Sequence, residues 1–382
     1  MSSLLGIHLQ LLIGPSVPIP APRSLIESVK QIEVTNSDER SDAFQIIFAA
    51  GRSGPADFLD YPILTNPLLK PFNRVIIQVF FGLMPKVLID GVITHIQFTP
   101  SNEPGQSTFV VTGEDVSVMM NQKEKVVTRP NRPDKLIIDE IILGYSQYGL
   151  VPQSVPPSLS EVPIELDRVP TQRGTDLQYL NALAKSYHAV FYIEPTDVPG
   201  VNKAYWGPLN VSSVPQKALT VGMGGQTNVQ GSINFQNNSQ GPTMVSGEIV
   251  DRQTNARVPV KSLPILRPPL AAMPAWIFNQ PNVKTKQFQP DGGASIMQAQ
   301  SQAQAQAESS IDVITATGEL NAAHYGDILR ARRLVGLRGA GYLHDGLYYV
   351  KSVVHKIKRG EYKQSFTLKR EGLGSTVPSV LT

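Results

Sequence analysis

The chain has 382 residues, 41% hydrophobic and 17% charged, with 31 prolines, 30 glycines and no cysteine. That length supports two or three domains with real cores, and the lack of cysteine excludes disulfide frameworks, thiolate metal sites and cysteine nucleophiles. The net charge of +3 is unevenly placed: eleven Lys/Arg against three acids make residues 328–371 +8 and leave the rest of the chain at −5. Such a segment reads either as a surface for nucleic acid or an acidic partner, or as a solvated sheet face.

In chain order, residues 6–13 read as a first strand closed by Gly14-Pro15. They lack the basic start and long apolar block of a secretory signal. Further strands are predicted at 32–34, 44–49, 75–81, 87–95 and 108–112, with NEPGQ at 102–106 as a hairpin turn. The apolar run at 75–81 soon meets Pro85 and Lys86 and is too short to span a bilayer, so no membrane insertion is expected. After Pro133 the run DKLIIDEIILGYSQYGL predicts a helix reaching Gly149 as its C-terminal cap. A connector rich in proline (Pro152, Pro156, Pro157, Pro163) follows.

Residues 176–188 carry apolar side chains at 177, 180, 183, 184 and 187, a helical stripe, with Thr175 or Asp176 as the cap. An aromatic and β-branched strand at 190–193 comes next. Strand and turn signals resume over 205–260, including YWGP at 205–208 and a strand at 244–250. Seven prolines over 259–290 predict a linker or extended arm, and QAQSQAQAQA at 298–307 predicts a surface helix on propensity. Three β segments over 328–370 close the pattern. These readings divide the chain into a first β domain at 1–118, completed by about 205–260, and a helix-containing part of a second domain at 119–204. A linker with its helix occupies 260–310, and β segments at 311–382 complete the second domain.

One internal similarity stands out. VLIDGVITHIQF followed by STFVVTGED matches GLYYVKSVVHKIKRGEYKQSFTLKREG when His95 is aligned with His355. Phe109 then falls on Phe366, and each hairpin ends in an acid, Glu114 or Glu371. Two related barrel-like domains in one chain would account for it.

Residues with catalytic or metal-binding chemistry do not gather into a motif. The six histidines (8, 95, 188, 324, 344, 355) lack metal-ligand spacing, and Gly51-Arg52-Ser53-Gly54 is not a nucleophile elbow. The Gly-rich runs at 222–225 and 336–341 fit turns rather than phosphate loops. Asp134, Asp139 and Glu140 share one helix, which does not by itself set the facing separation that glycoside hydrolysis needs. Trp206 and Trp276 read as core or interface anchors. No catalytic residue, cofactor or metal is expected.

The pattern Q-x-G-T-D-x-x-Y-L-x-x-L-A from Gln172 to Ala184, followed by an aromatic strand, resembles the helix–strand element of phage tail hub proteins. With the two hairpins it is similar to the late control protein D family of baseplate hubs and to the N-terminal half of the type VI secretion spike protein VgrG. The resemblance implies a mainly β fold with a few short helices (α+β) and two tube-like β-barrel domains per chain. It further implies a homotrimer of pseudo-six-fold symmetry. Its implied role is structural: a hub assembled in the bacterial cytoplasm, joining the six-fold inner tube to the three-fold central spike of a phage virion or a phage tail-like contractile injection system. Implied partners are the inner tube protein, the central spike protein, other baseplate proteins and the tape measure protein. VgrG-type proteins continue into an oligosaccharide-binding-like domain and a needle, whereas about a dozen residues follow the second hairpin here. The spike is therefore expected on a separate polypeptide.

Charge segregation adds a candidate interface or channel surface: Arg330, Arg332, Arg333, Lys356, Lys358 and Arg359. Strand alternation puts Lys356 and Lys358 on one face and His355 and Ile357 on the other. Two other readings remain, a tail-associated cell-wall hydrolase or carbohydrate-binding β protein, and a nucleic-acid binder lacking a known module.

Overall fold

The computed structural model describes residues 6–51, 61–103, 105–156, 169–187, 189–211, 213–238, 240–251, 254–262, 267–276, 284–289 and 296–377. Arg52, Ser53, Gly54, Pro157, Pro163 and His188 of the sequence reading lie outside the described residues. The chain is mainly β with a few short helices, as expected. Most strands belong to one 13-stranded sheet, and among the described residues no sheet closes on itself.

That sheet contains the same six-strand unit twice. The first comprises β1 (Ile7–Gly14), β2 (Val29–Ser37), β3 (Ala43–Ala49), β4 (Arg74–Phe81), β5 (Met84–Thr99) and β6 (Thr108–Asp115). The second comprises β7 (Gln216–Thr220), β8 (Val229–Asn237), β9 (Ile314–Asn321), β10 (Leu334–Arg338), β11 (Gly346–Lys358) and β12 (Glu361–Arg370). In space the first runs β2-β3-β6-β5-β4-β1 and the second β8-β9-β12-β11-β10-β7, the same permutation. They differ at one edge: β1 pairs β4 antiparallel, whereas β7 pairs β10 parallel.

Several strands of both units alternate between an apolar and a polar face, whereas β4 and β10 are buried along most of their length. In β6 and β12 every second residue is buried. The first core gathers Ile32, Val34, Phe44, Ile46, Phe48, Ile77 and Val111. The second gathers Leu219, Ala316, Leu320, Val335, Val350, Val353, Phe366 and Leu368. Ile357 and Tyr362 of the second unit belong to the first core, because β11 also pairs β2 antiparallel from Ser352↔Ser37 to Lys358↔Gln31. That strand pair is the joint between the units.

The register corrects the sequence alignment of the two hairpins. Each carries one extra residue at a bulge, Thr94 in β5 and Lys351 in β11, flanked by the pairs Ile93↔Gly113 and His95↔Thr112 in one, Val350↔Leu368 and Ser352↔Thr367 in the other. Anchoring on the bulge makes Phe98, not His95, the counterpart of His355. His95 corresponds to Ser352. An odd slip exchanges faces, which is why His95 is exposed and His355 buried. A second landmark agrees. Phe72 and Arg332, each two residues before β4 or β10, both have φ 64. Phe72 N–H donates to Ile93 C=O at 2.9 Å and Arg332 N–H to Val350 C=O at 2.7 Å, matching positions.

Between the units sits the helix-containing module. The first helix, Asp134–Leu143, stops short of the predicted end. Gly144 caps it, and a separate 3₁₀ turn, Ser146–Tyr148, runs on to Gly149. Gly149 has φ +75, and a Cβ there would lie 1.9 Å from the Gly200 carbonyl, so the turn accepts only glycine. The helix Asp176–Ser186 is opened by a capping box in which Thr175 and Gln178 satisfy each other's backbone N–H groups. Leu180 and Ala184 are buried, and Leu177, Leu183 and Tyr187 pack around them against the strands Ala189–Pro195 and Asn202–Pro208. Trp206 donates its indole N–H to the Leu180 carbonyl at 3.2 Å, closing that core.

Within the stretch 259–290, expected as a linker or arm, residues 263–266, 277–283 and 290 lie outside the described residues, and the others include paired strands. Lys284–Phe288 pairs parallel with Thr243–Val250, which also pairs with Arg257–Lys261. Ala271–Pro274 pairs with Gly372–Ser375. The Gln/Ala helix, Ile296–Glu308, buries Ala299, Ala303 and Ala307 against Val245, Ile249, Val260 and Phe288, so it is half sunk rather than a surface helix. Among the described residues no helix is long and apolar enough to cross a membrane.

Candidate assembly surface

Polar side chains line one face of the large sheet: Glu33, Gln45, Thr112, Gln97, Thr99, Lys356, Lys358 and Lys363 all avoid the core. Lys356 and Lys358 are exposed while His355 and Ile357 are buried, the split expected from alternation. The charges there are mixed. Lys356 sits opposite Glu33 on one side and Lys363 on the other. Lys363 itself is held by Glu361 at 2.9 Å and Glu319 at 3.3 Å.

The six basic residues singled out by charge are not one patch. Arg332 is only 4% exposed. Its guanidinium pairs with both Asp42 oxygens, donates to the Ser37 carbonyl, and stacks on Tyr192 at 4.2 Å. It cannot line a surface of the folded chain, because it is the peg that fixes the joint between the units and the helix-containing module. Arg330 is largely covered and donates to Asp197 at 2.9 Å; burial lowers its pKa. Arg333 pairs with Glu194. Arg359, exposed, donates to the Glu27 carbonyl. Only Lys356, Lys358 and Arg359 are exposed together, at the end of β11.

Buried polar networks that sequence reasoning missed hold the modules together. Around Arg332, Asp42 accepts from Asn36 Nδ2 at 2.7 Å, and Asp115 accepts the Asp42 N–H at 2.7 Å. Burial and the neighbouring Asp42 carboxylate push the Asp115 carboxyl up to about 7. Arg74 forks onto Asp90 with two bonds of 2.7 Å and donates to the Tyr148 and Gly200 carbonyls, tying β4 and β5 to the helix-containing module. Glu371, fully buried, accepts from Arg267 at 3.0 Å and from the Ala271 N–H at 2.8 Å, pinning the Pro-rich stretch to the second unit. His355 shares a 2.9 Å hydrogen bond with the Tyr362 hydroxyl, and burial together with the Arg330 charge drops its pKa to about 3.

Among the described residues no group of three His, Asp or Glu side chains gathers as metal ligands would. A cleft of about 570 Å³ lies beside the two helices, lined by Lys125, Arg129, Glu140, Tyr145, Tyr148 and Asp176. Its most buried carboxylate, Asp176, is committed to Lys125, Gln172 and Tyr145, all within 2.7 Å. Burial alone would raise its pKa, but these partners outweigh it and lower it.

No protein-family model and no curated protein matches the chain. Solved structures do. A tail protein from Neisseria meningitidis MC58 is similar over 97% of this chain and 98% of its own, with a TM-score of 0.63 at 13% identity. The 43 kDa tail protein of prophage MuSo2 from Shewanella oneidensis is similar over 96% and 98%, with a TM-score of 0.64 at 13% identity. A type VI secretion component from Escherichia coli, itself described as similar to the T4 tail proteins gp27 and gp5, matches 90% of this chain and 73% of its own, with a TM-score of 0.54 at 11% identity. The fold is thus one found in phage tail and type VI secretion proteins.

Proposed function

We propose that this chain is the baseplate hub of a contractile tail or of a phage tail-like injection system. It acts as a homotrimer that matches a six-fold inner tube to a three-fold central spike. The observation that carries this is the doubled six-strand unit: three chains offer six nearly equivalent units, so one ring presents both symmetries. Each unit is a tube-like domain, the first built from the strands of 7–115 and the second from Gln216–Thr220, Val229–Asn237 and the strands of 314–370, so the part of 205–260 expected to complete the first domain goes to the second instead. Residues 119–204 brace them. The likeness to tail proteins supports the role. The exposed face of β11, with Lys356, Lys358 and Arg359, meets the channel or an acidic tube or spike partner.

Light scattering combined with averaged electron micrographs of the purified protein, alone and with its tube and spike proteins, tests the reading. Three chains per particle and a six-lobed ring are expected. A stable 41.7 kDa monomer even in the presence of tube and spike would overturn it.

A further inference from the structure

The cleft of about 570 Å³ in the helix-containing module carries charge that the fold does not use. Lys123, Lys125 and Arg129 reach it from one stretch of chain, and Glu140, Ile141 and Tyr148 from another. Both carboxylates of its lining are already neutralised. Asp176 pairs with Lys125 at 2.5 Å and accepts from Gln172 and Tyr145 as well, while Glu140 pairs with Arg132. Two cations are left over. Lys123 is exposed and has no ion-pair or hydrogen-bond partner among the described residues.

Arg129 is held in place but only partly used. Its Nη1 donates to Gln172 at 2.8 Å, and its guanidinium lies 5.9 Å from the centre of the Tyr179 ring. The Nε and Nη2 edge meets no acceptor among the described residues. That edge is the fork that grips a carboxylate with two parallel bonds, and Arg74 uses the same edge on Asp90 at 2.7 Å. Beside these cations Met119 and Ile141 supply apolar surface and Gln147, exposed, supplies an amide. The volume falls within the range of about 300–1,000 Å³ usual for ligand sites.

We propose that this cleft holds a short acidic segment of a partner protein, its carboxylates on Arg129 and Lys123 and an apolar side chain against Ile141 and Met119. Charge complementarity selects an acidic occupant, because every acid of the lining has its cation and two cations do not have an acid. The mixed lining selects peptide over nucleic acid. A nucleic-acid strand carries a phosphate about every 3.4 Å and would press several of them on a wall that also holds Glu140 and Asp176. A peptide can set apolar residues between its carboxylates and so avoid both acids. The proposal is independent of the hub reading, because it concerns the helix-containing module alone.

The probe is a short, capped, fluorescent peptide alternating Glu and Leu, titrated with the full chain and read by anisotropy. It should bind, and added salt should weaken it. A matching peptide of Lys and Leu should not bind. Lys123→Glu should weaken the acidic peptide about tenfold, since a hydrogen bond between charged groups carries at least that factor. Lys123 is exposed and partnerless, so this variant should keep the wild-type unfolding midpoint. Arg129→Lys keeps the charge but loses the fork and should also weaken binding, whereas Lys356→Glu with Lys358→Glu should leave it unchanged. Carbodiimide, which joins carboxylates to amines in contact, should place the peptide on Lys123 by mass spectrometry. No binding by wild type, equal binding by Lys123→Glu, or coupling confined to Lys356 and Lys358 overturns the proposal. So does tighter binding of a single-stranded oligonucleotide than of the acidic peptide, which would make the cleft a nucleic-acid site.

Discussion

The two six-strand units share topology, a bulge and a left-handed kink, yet the kinks carry opposite residues. In the second unit the kink holds Arg332, buried on Asp42; in the first it holds Phe72, left in solvent. Phe98 and His355 likewise fill one place with different chemistry. The backbone frame is the same in both units, while the residues set on it differ: one kink is filled by a cation bound within the chain and the other carries an exposed ring. What repeats is the hydrogen-bonding geometry, and what varies is the side-chain chemistry placed on it.

The sharpest way to break that comparison is at Arg332. Arg332→Met leaves Asp42 as a buried carboxylate without its cation, and breaking such a pair costs about 3–5 kcal/mol. Chemical denaturation should show this loss, and loosening should be greatest where β11 meets β2, read by amide hydrogen exchange. Unchanged stability would mean that the β11–β2 ladder alone holds the joint.

Leu180→Ala comes next, with an expected loss of about 2–5 kcal/mol. Leu180 is fully buried beneath Trp206, outside both repeats. Denaturation should therefore report a loss while the β5 and β11 hairpins keep their exchange protection. Equal loosening of the hairpins would show that the helix-containing module and the units unfold as one.

Much of this was readable in the chain because its signals are local. The Thr175 capping box, the stripe through Leu180 and Ala184, and the alternation that hides His355 and Ile357 depend on neighbours a few residues away. Long-range partners were not readable. Arg332 stands in a basic run and looks like surface, and its acid lies 290 residues earlier. The prolines of 259–290 suggested a free arm, but Ala271–Pro274 finds its partner strand at Gly372–Ser375. The Gln/Ala helix looked neutral because alanine adds little hydrophobic contrast, although its alanine face is buried. The repeat itself was visible, yet matching histidine to histidine misplaced it by three residues. Only the bulge, a backbone feature without a fixed side-chain signature, sets the true register.

A pH titration sharpens the contrast between Phe98 and His355. The folded pKa of His355 lies near 3 against an ordinary 6.5, so the unfolded chain takes up the proton first as acid is added. The neutral imidazole's contribution is complete above about pH 6.5 and is lost as the pH falls toward 3, at up to about 1.4 kcal/mol per unit. His355→Phe, which installs the first unit's residue, should flatten that acid limb in urea titrations at pH 4 to 7. It also strips the Tyr362 hydroxyl of its partner, costing about 1–3 kcal/mol at every pH. Adding Tyr362→Phe should recover much of that constant loss. An acid limb of unaltered slope in both variants would assign it to other groups.

The smallest effect on folding is expected at the exposed end of β11. Lys356→Glu would face Glu33 across one ladder but Lys363 across the other, so cross-strand repulsion and attraction nearly cancel. Lys358→Glu would face Glu361, which already pairs with Lys363. Each change should stay within about 0.5 kcal/mol. On the proposed hub the pair of changes should nonetheless weaken docking of an acidic tube or spike partner, most at low salt, since exposed charges are screened beyond about 8–10 Å at physiological ionic strength. Pull-down of tube and spike proteins across a salt series measures this. Equal recovery by wild type and double variant at every salt concentration would reduce these lysines to a solvated face and move the docking surface elsewhere.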